Sequence, residues 1–270
     1  MSARRLAGLL PLLTAMLGAL ALPAHAGQTC HETPLEPATV RSAFRSGLAL
    51  QQQLDQVSPD VAVIARVGQD LSEYGLHYSH AAFVTRDAPG QPWRVSHLLN
   101  DCGQATSVLW REGLANFFLD DMFSYESLVV IPDAQTQARL RLLLRNPASL
   151  EQMHASRYNM LAYPYSTQYQ NSNQWVLEVL SEALAGRQFA RRADAQAWLQ
   201  SAGYQPGTLQ IGAMKRLGGR MFRANVAFDD HPTQRRMAGQ IDTITVESVI
   251  EMLKRRSPET QLKPVPAPAT

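Results

Sequence analysis

Between Tyr169 and Leu180 the chain reads Tyr-Gln-Asn-Ser-Asn-Gln-Trp-Val-Leu-Glu-Val-Leu, a crowd of small polar side chains that gives way at once to an apolar run. Trp175, Val176, Val179 and Leu180 recur at helical spacing, so this segment must bury a face and the rest of the chain must supply what covers it. Ser172 and Asn173 suit the place before a first helical turn, where side-chain oxygens accept backbone N–H groups that the turn leaves unpaired. The same end of a helix carries partial positive charge, which stabilises an anion or an activated nucleophile. Cap and nucleophile are both open readings of Ser172 here.

With 270 residues, 45% of them hydrophobic, the chain can build a substantial core, and one domain is expected. A net charge of +2, with Lys and Arg interspersed among Asp and Glu, gives no basic stripe and no reason to expect nucleic acid.

The N-terminus carries Arg4 and Arg5, then an apolar run from Leu6 to Leu22, then Ala24-His25-Ala26. That order is the layout of a secretory signal peptide with a small-x-small cleavage site, so residues 1–26 are expected to be removed and the mature chain to be periplasmic or secreted. Cys30 and Cys102 are the two cysteines, and thiols in an exported chain tend to pair. A Cys30–Cys102 disulfide would close a long loop, worth on the order of 4 kcal/mol in the chain-entropy account. The alternative makes Cys102 a catalytic thiol.

Along the chain, Pro37 to Gln56 fits an amphipathic helix, and Val61 to Ala65 a buried strand. Tyr78 to Val84 and Trp93 to Leu99 read as a hairpin turned at Pro89-Gly90, with His80 near the start of one arm and His97 near the end of the other. Antiparallel pairing brings those two histidines together. Asp120 and Asp121 read as a solvated helix or turn, Ser127 to Pro132 as a fourth strand, and Asp133 as the cap of a helix running to Arg145. Tyr158 to Tyr169 is an aromatic, polar loop that lines a groove or packs on the surface. Helices follow at Ala193–Ala202, closed by Gly203, and at Ile211–Leu217. Asp229, Asp230 and His231 have ligand chemistry, but consecutive turn residues rarely converge on one ion, so no metal is expected there. A strand at Ile241–Val246 and a helix at Glu247–Leu253 close a domain spanning 27–256. The Pro-rich residues 257–270 are expected to be disordered.

Two resemblances attach to these segments. Arg66 to Ser72, Tyr78-Ser79-His80, Gln170 to Trp175 and Asn225 to Pro232 resemble an uncharacterised family of exported bacterial proteins, domain of unknown function 2145, which conveys no activity. More remotely, Val61 to Leu184 resembles the permuted papain-like superfamily of NlpC-type peptidases, amidases and lecithin:retinol acyltransferase-like enzymes. There a histidine precedes the nucleophile in the chain, and Asn171-Ser172-Asn173-Gln174-Trp175-Val176 is similar in shape to the Asn-Cys-Glu-His-Phe-Val motif of the acyltransferase branch. The resemblance implies an α+β fold with a mainly antiparallel sheet flanked by helices. It implies His80 as base, His97 as its orienting partner, and Ser172 where the family has cysteine.

Three functions are then in play. One is a hydrolase or acyltransferase acting on an envelope amide, peptide or ester through Ser172, His80 and His97, with no cofactor. Another is a binding or assembly factor that recognises a peptide, glycan or lipid-like ligand through Tyr78, Tyr165, Tyr169, Asn171, Asn173 and Gln174. The third is a metal-dependent hydrolase using His80, His97 and Asp101 or Asp70.

Overall fold

A computed structural model describes residues 34–120 and 122–268. The expected signal peptide and Cys30 lie outside the described residues, and so does Asp121.

Helix α1 (Pro37–Val57) takes Pro37 into its first turn, where the missing N–H costs nothing, and stops at Ser58 in the left-handed region. Strands β1 (Val61–Val67), β2 (His80–Thr85), β3 (Arg94–Asn100), β4 (Ser107–Gly113) and β5 (Ser124–Ile131) follow as an antiparallel succession. Helices α2 (Ala134–Leu144) and α3 (Pro147–Gln152) lead through a long loop to α4 (Ser172–Ala185) and α5 (Arg192–Ser201). The last part alternates short elements: β6 (Gly207–Gln210), α6 (Ala213–Phe222), α7 (Thr233–Met237), β7 (Gln240–Thr243), α8 (Val246–Arg256) and β8 (Gln261–Val265).

The architecture is α+β: a six-stranded antiparallel sheet of order β4-β3-β2-β1-β5-β8, with eight α-helices among the described residues. Side chains alternate across a strand, and β1 is buried along its whole length because both faces are covered. Val61, Val63 and Ala65 meet Trp175, Val176 and Val179 of α4, whereas Ala62 and Ile64 meet Leu50 and Leu54 of α1. Helix α4 is thus the centre of the larger core. Twelve of its residues, Ser172 through Ala183, are buried, so its polar side chains as well as its apolar ones lie inside the protein.

Three parts of the sequence reading change. The tail from residue 257 is not disordered throughout: Gln261–Val265 pairs with β5 and forms one edge of the sheet, with Val265 buried. Pro264 fits an edge strand, which does not need its N–H on the outer side. The closing strand β7 pairs with β6 in a separate two-stranded sheet instead of the main one. Strand β4 falls where no strand was expected, because Val108, Trp110 and Arg111 lie exposed at the other edge and show no apolar alternation.

Candidate functional site

The two histidines do meet. Strands β2 and β3 pair over Phe83–Thr85 and Arg94–Ser96 and then separate, while β3 continues to pair with β4 through Asn100. His80 Nε2 and His97 Nδ1 bridge the gap at 3.0 Å. Glu112 Oε1 stands 3.1 Å from His97 Nε2, ion-pair distance without the alignment of a hydrogen bond. A carboxylate at that distance favours a proton on Nε2, which leaves His97 Nδ1 to accept from His80 Nε2–H.

Around this pair the surroundings are apolar and cationic. Phe117 packs on both rings, and Arg66 donates to the Phe117 carbonyl and to Asp120 Oδ2, the latter at 2.8 Å. Burial, then the Arg66 charge, then His97 hold His80 well below the usual imidazole range. Burial also lowers His97, against the opposing pull of Glu112. Both rings are therefore neutral near pH 7, and His80 Nε2 is committed to its neighbour. Asp120, expected in a solvated helix or turn, is exposed there and also partners the buried Arg66 guanidinium.

Ser172 is not part of this cluster. Ala81, the residue after His80, packs into the core with α4, so alternation turns the His80 ring to the opposite face of the sheet, under Phe117. Ser172 Oγ, at the first residue of α4, has the Tyr158 hydroxyl 3.4 Å away. The expected Ser172–His80–His97 constellation is therefore not assembled, and a sheet separates the hydroxyl from its intended base. The cap differs as well: Asn171 takes that place, its Oδ1 accepting from Gln174 N at 2.7 Å. Asn173 serves the sheet, accepting at 2.9 Å from the Ala81 N–H that lacks a β3 partner.

The other expected ligand contacts also disperse. Tyr165 OH donates to the Tyr204 carbonyl, and Tyr169 OH donates to Asp229. Gln174 is buried, its Nε2 donating to the Pro164 carbonyl. What remains of the predicted groove is Tyr78 and Asn173, which line a cavity of about 330 Å³. Its apolar walls are Tyr74, Leu76, Leu161 and Ile211, with Ser79, Thr243 and Thr245 among its polar groups. The volume falls within the span of small-ligand sites.

Among the described residues no three His, Cys, Asp or Glu side chains converge as a metal would require. Asp70 accepts from Ser72 N, and Asp101 from Thr106 Oγ1. His231 is a structural residue, with Asp230 Oδ1 at 2.9 Å from Nδ1 and the Asp242 carbonyl at 3.0 Å from Nε2.

Two charged clusters escaped the sequence reading. Arg66 is one, marked only as a charge at the end of an apolar β-branched run. Glu178 is the other, set in the apolar stretch of α4 and wholly buried. Arg192 grips it through Nε and Nη2 at 2.7 and 3.1 Å, while Gln170 and Gln196 donate at 2.7 and 2.8 Å.

The chain belongs to the family described as an uncharacterized protein conserved in bacteria (DUF2145), which matches residues 53–253. No curated protein and no solved structure matches it.

Proposed function

We propose that this protein is an exported envelope factor that binds a ligand without turning it over. Its frame is read as a permuted papain-like one in which the nucleophile position is filled by Ser172. The papain-like relation rests on the order of His80 before Ser172 and on a helix start of Asn171-Ser172-Asn173 set against an antiparallel sheet. Export rests on the basic, apolar and small-x-small succession of residues 4–26.

One observation carries the non-catalytic reading: Ser172 Oγ is paired with Tyr158 OH on the α4 side of the sheet, while His80 and His97 pair with each other against Phe117 of the α1-side core. A serine hydroxyl has to pass its proton to a base within the transition state. Tyr158 is no substitute, since burial raises its phenol above the ordinary range and keeps it a hydroxyl.

The binding element is the cavity lined by Tyr74, Tyr78, Leu161 and Ile211. Its apolar walls suit one large apolar side chain. Calorimetry with short peptides carrying Phe, Leu or Tyr tests this reading. Binding is expected for the parent protein and for Ser172→Ala, and is expected to be lost in Leu161→Trp, which fills the cavity. A fluorophosphonate probe should leave the protein unlabelled; labelling that disappears in Ser172→Ala would restore the hydrolase reading.

A further inference from the structure

Helix α6 is folded with its apolar side outward. Met214, Leu217 and Met221 follow the i, i+3, i+7 spacing that places residues on one side of a helix, and they are 80%, 53% and 54% exposed. The opposite side faces protein. A Cβ at Gly219 would stand 3.3 Å from Val226 Cγ1, and Arg216 donates to the Ile211 carbonyl at the root of the helix. A surface helix ordinarily turns its apolar stripe to the core, so α6 is inverted with respect to its own domain.

Its charge is as one-sided as its packing. Ala213-Met214-Lys215-Arg216-Leu217-Gly218-Gly219-Arg220-Met221-Phe222 contains three basic residues and no acid, and Arg223 follows directly. Lys215 is paired with Glu73, and both side chains remain more than half exposed. Lys215 and Arg220 flank the apolar side, which leaves their long stems free to lie along it while the charged ends reach outward. The Gly218–Gly219 pair makes the helix weak in water, as suits a helix completed at an interface.

We propose that α6 docks the protein on an anionic phospholipid surface, with Met214, Leu217 and Met221 in the boundary between headgroups and acyl chains. Lys215 and Arg220 then face lipid phosphates. The charge selects this occupant: a second copy of the chain would bring one basic helix against another, which like-charge repulsion opposes. The inference is independent of the peptide-binding cavity.

Cosedimentation with vesicles tests it. On phosphatidylcholine vesicles containing about a third phosphatidylglycerol, partitioning is expected to exceed that on pure phosphatidylcholine by about tenfold or more, and to weaken as salt rises. Leu217→Asp is expected to reduce it about tenfold, and Arg220→Glu to remove the preference for phosphatidylglycerol. Both positions are solvent-facing, and unchanged circular dichroism and thermal midpoint would show that the fold is kept. The proposal is overturned by absence of binding to the anionic vesicles, by binding that Leu217→Asp leaves unchanged, or by a lipid-free dimer that Leu217→Asp dissociates.

Discussion

Ser172 Oγ and Tyr158 OH stand 3.4 Å apart at the start of α4, a long contact between two neutral hydroxyls. Its net worth is at the low end for a hydrogen bond. The neighbouring Asn171 makes a shorter bond to Gln174 N at 2.7 Å, and its Nδ2 donates to the Met160 carbonyl at 3.2 Å and Thr243 Oγ1 at 3.1 Å. Urea unfolding should therefore separate the two: Ser172→Ala is expected to cost less than about 1 kcal/mol, and Asn171→Ala about 2 kcal/mol or more. A Ser172→Ala loss equal to that of Asn171→Ala would mean that the hydroxyl holds more than this geometry assigns it.

The buried His80–His97 pair makes stability depend on acid. Both folded-state values lie below that of a free imidazole, so as pH falls below about 6.5 the unfolded chain takes up protons that the native one refuses. Stability is complete above that pH and declines as pH drops toward the folded values, by up to about 1.4 kcal/mol per pH unit for each histidine. The depressed carboxyls of Asp133 and Asp242 take effect lower, below the ordinary Asp range, whereas burial raises Glu182 so that it titrates above the ordinary Glu value with the opposite sign, and the histidine share is the part of the slope that a histidine substitution removes. Unfolding free energy measured from about pH 6.5 down to about pH 4 should fall with a slope that His80→Gln makes shallower. A slope that His80→Gln leaves unchanged would show that the ring is not held neutral.

Local signals predicted the elements whose burial is simple. The amphipathic helix α1, the apolar β1 and the Asp133 cap, whose Oδ1 accepts from Thr136 N at 2.8 Å, all lie where spacing and capping chemistry put them. Pairing of the hairpin also brought His80 to His97. What periodicity could not disclose was which face of the sheet α4 would cover. Ser172 and His80 are separated by the alternation of Ala81, a matter of one residue of register relative to a distant helix. The Glu178 hub escaped for a related reason: a buried carboxylate within a helix is intelligible only when Arg192, Gln170 and Gln196 are seen to converge on it. Strand β8 was hidden by composition, since a Pro-rich tail and an edge strand carrying Pro264 look alike until β5 offers it a partner.

That edge gives a further prediction. Gln261–Val265 covers the outer ladder of β5, and Val265 is buried in the α1-side core. Ending the chain after Thr260 exposes the unpaired backbone groups of β5 and removes the Val265 side chain, at an expected cost of roughly 2 kcal/mol or more. The shortened protein should also aggregate at concentrations where the full chain stays dispersed, because an open edge recruits strands from other molecules. Light scattering during a thermal ramp reads both effects.

The Glu178 hub sets the strongest expectation. Its carboxylate is fully buried, and all four short donor contacts come from Arg192, Gln170 and Gln196. Those same donors hold the loop before α4: Arg192 reaches the Thr167 and Tyr169 carbonyls, Gln196 that of Ser166, and Gln170 that of Met153. Arg192→Met leaves an uncompensated charge next to α4 and frees the loop, so a loss of about 3–5 kcal/mol is expected. Glu178→Leu combined with Arg192→Met removes both charges and should recover part of that loss, since the remaining amides are neutral. If the double variant is as unstable as Arg192→Met alone, the loop contacts of Arg192 outweigh its pairing with Glu178. Proteolysis within 166–170 would then rise equally in both variants, whereas a charge-driven loss predicts that the loop is more protected in the double variant.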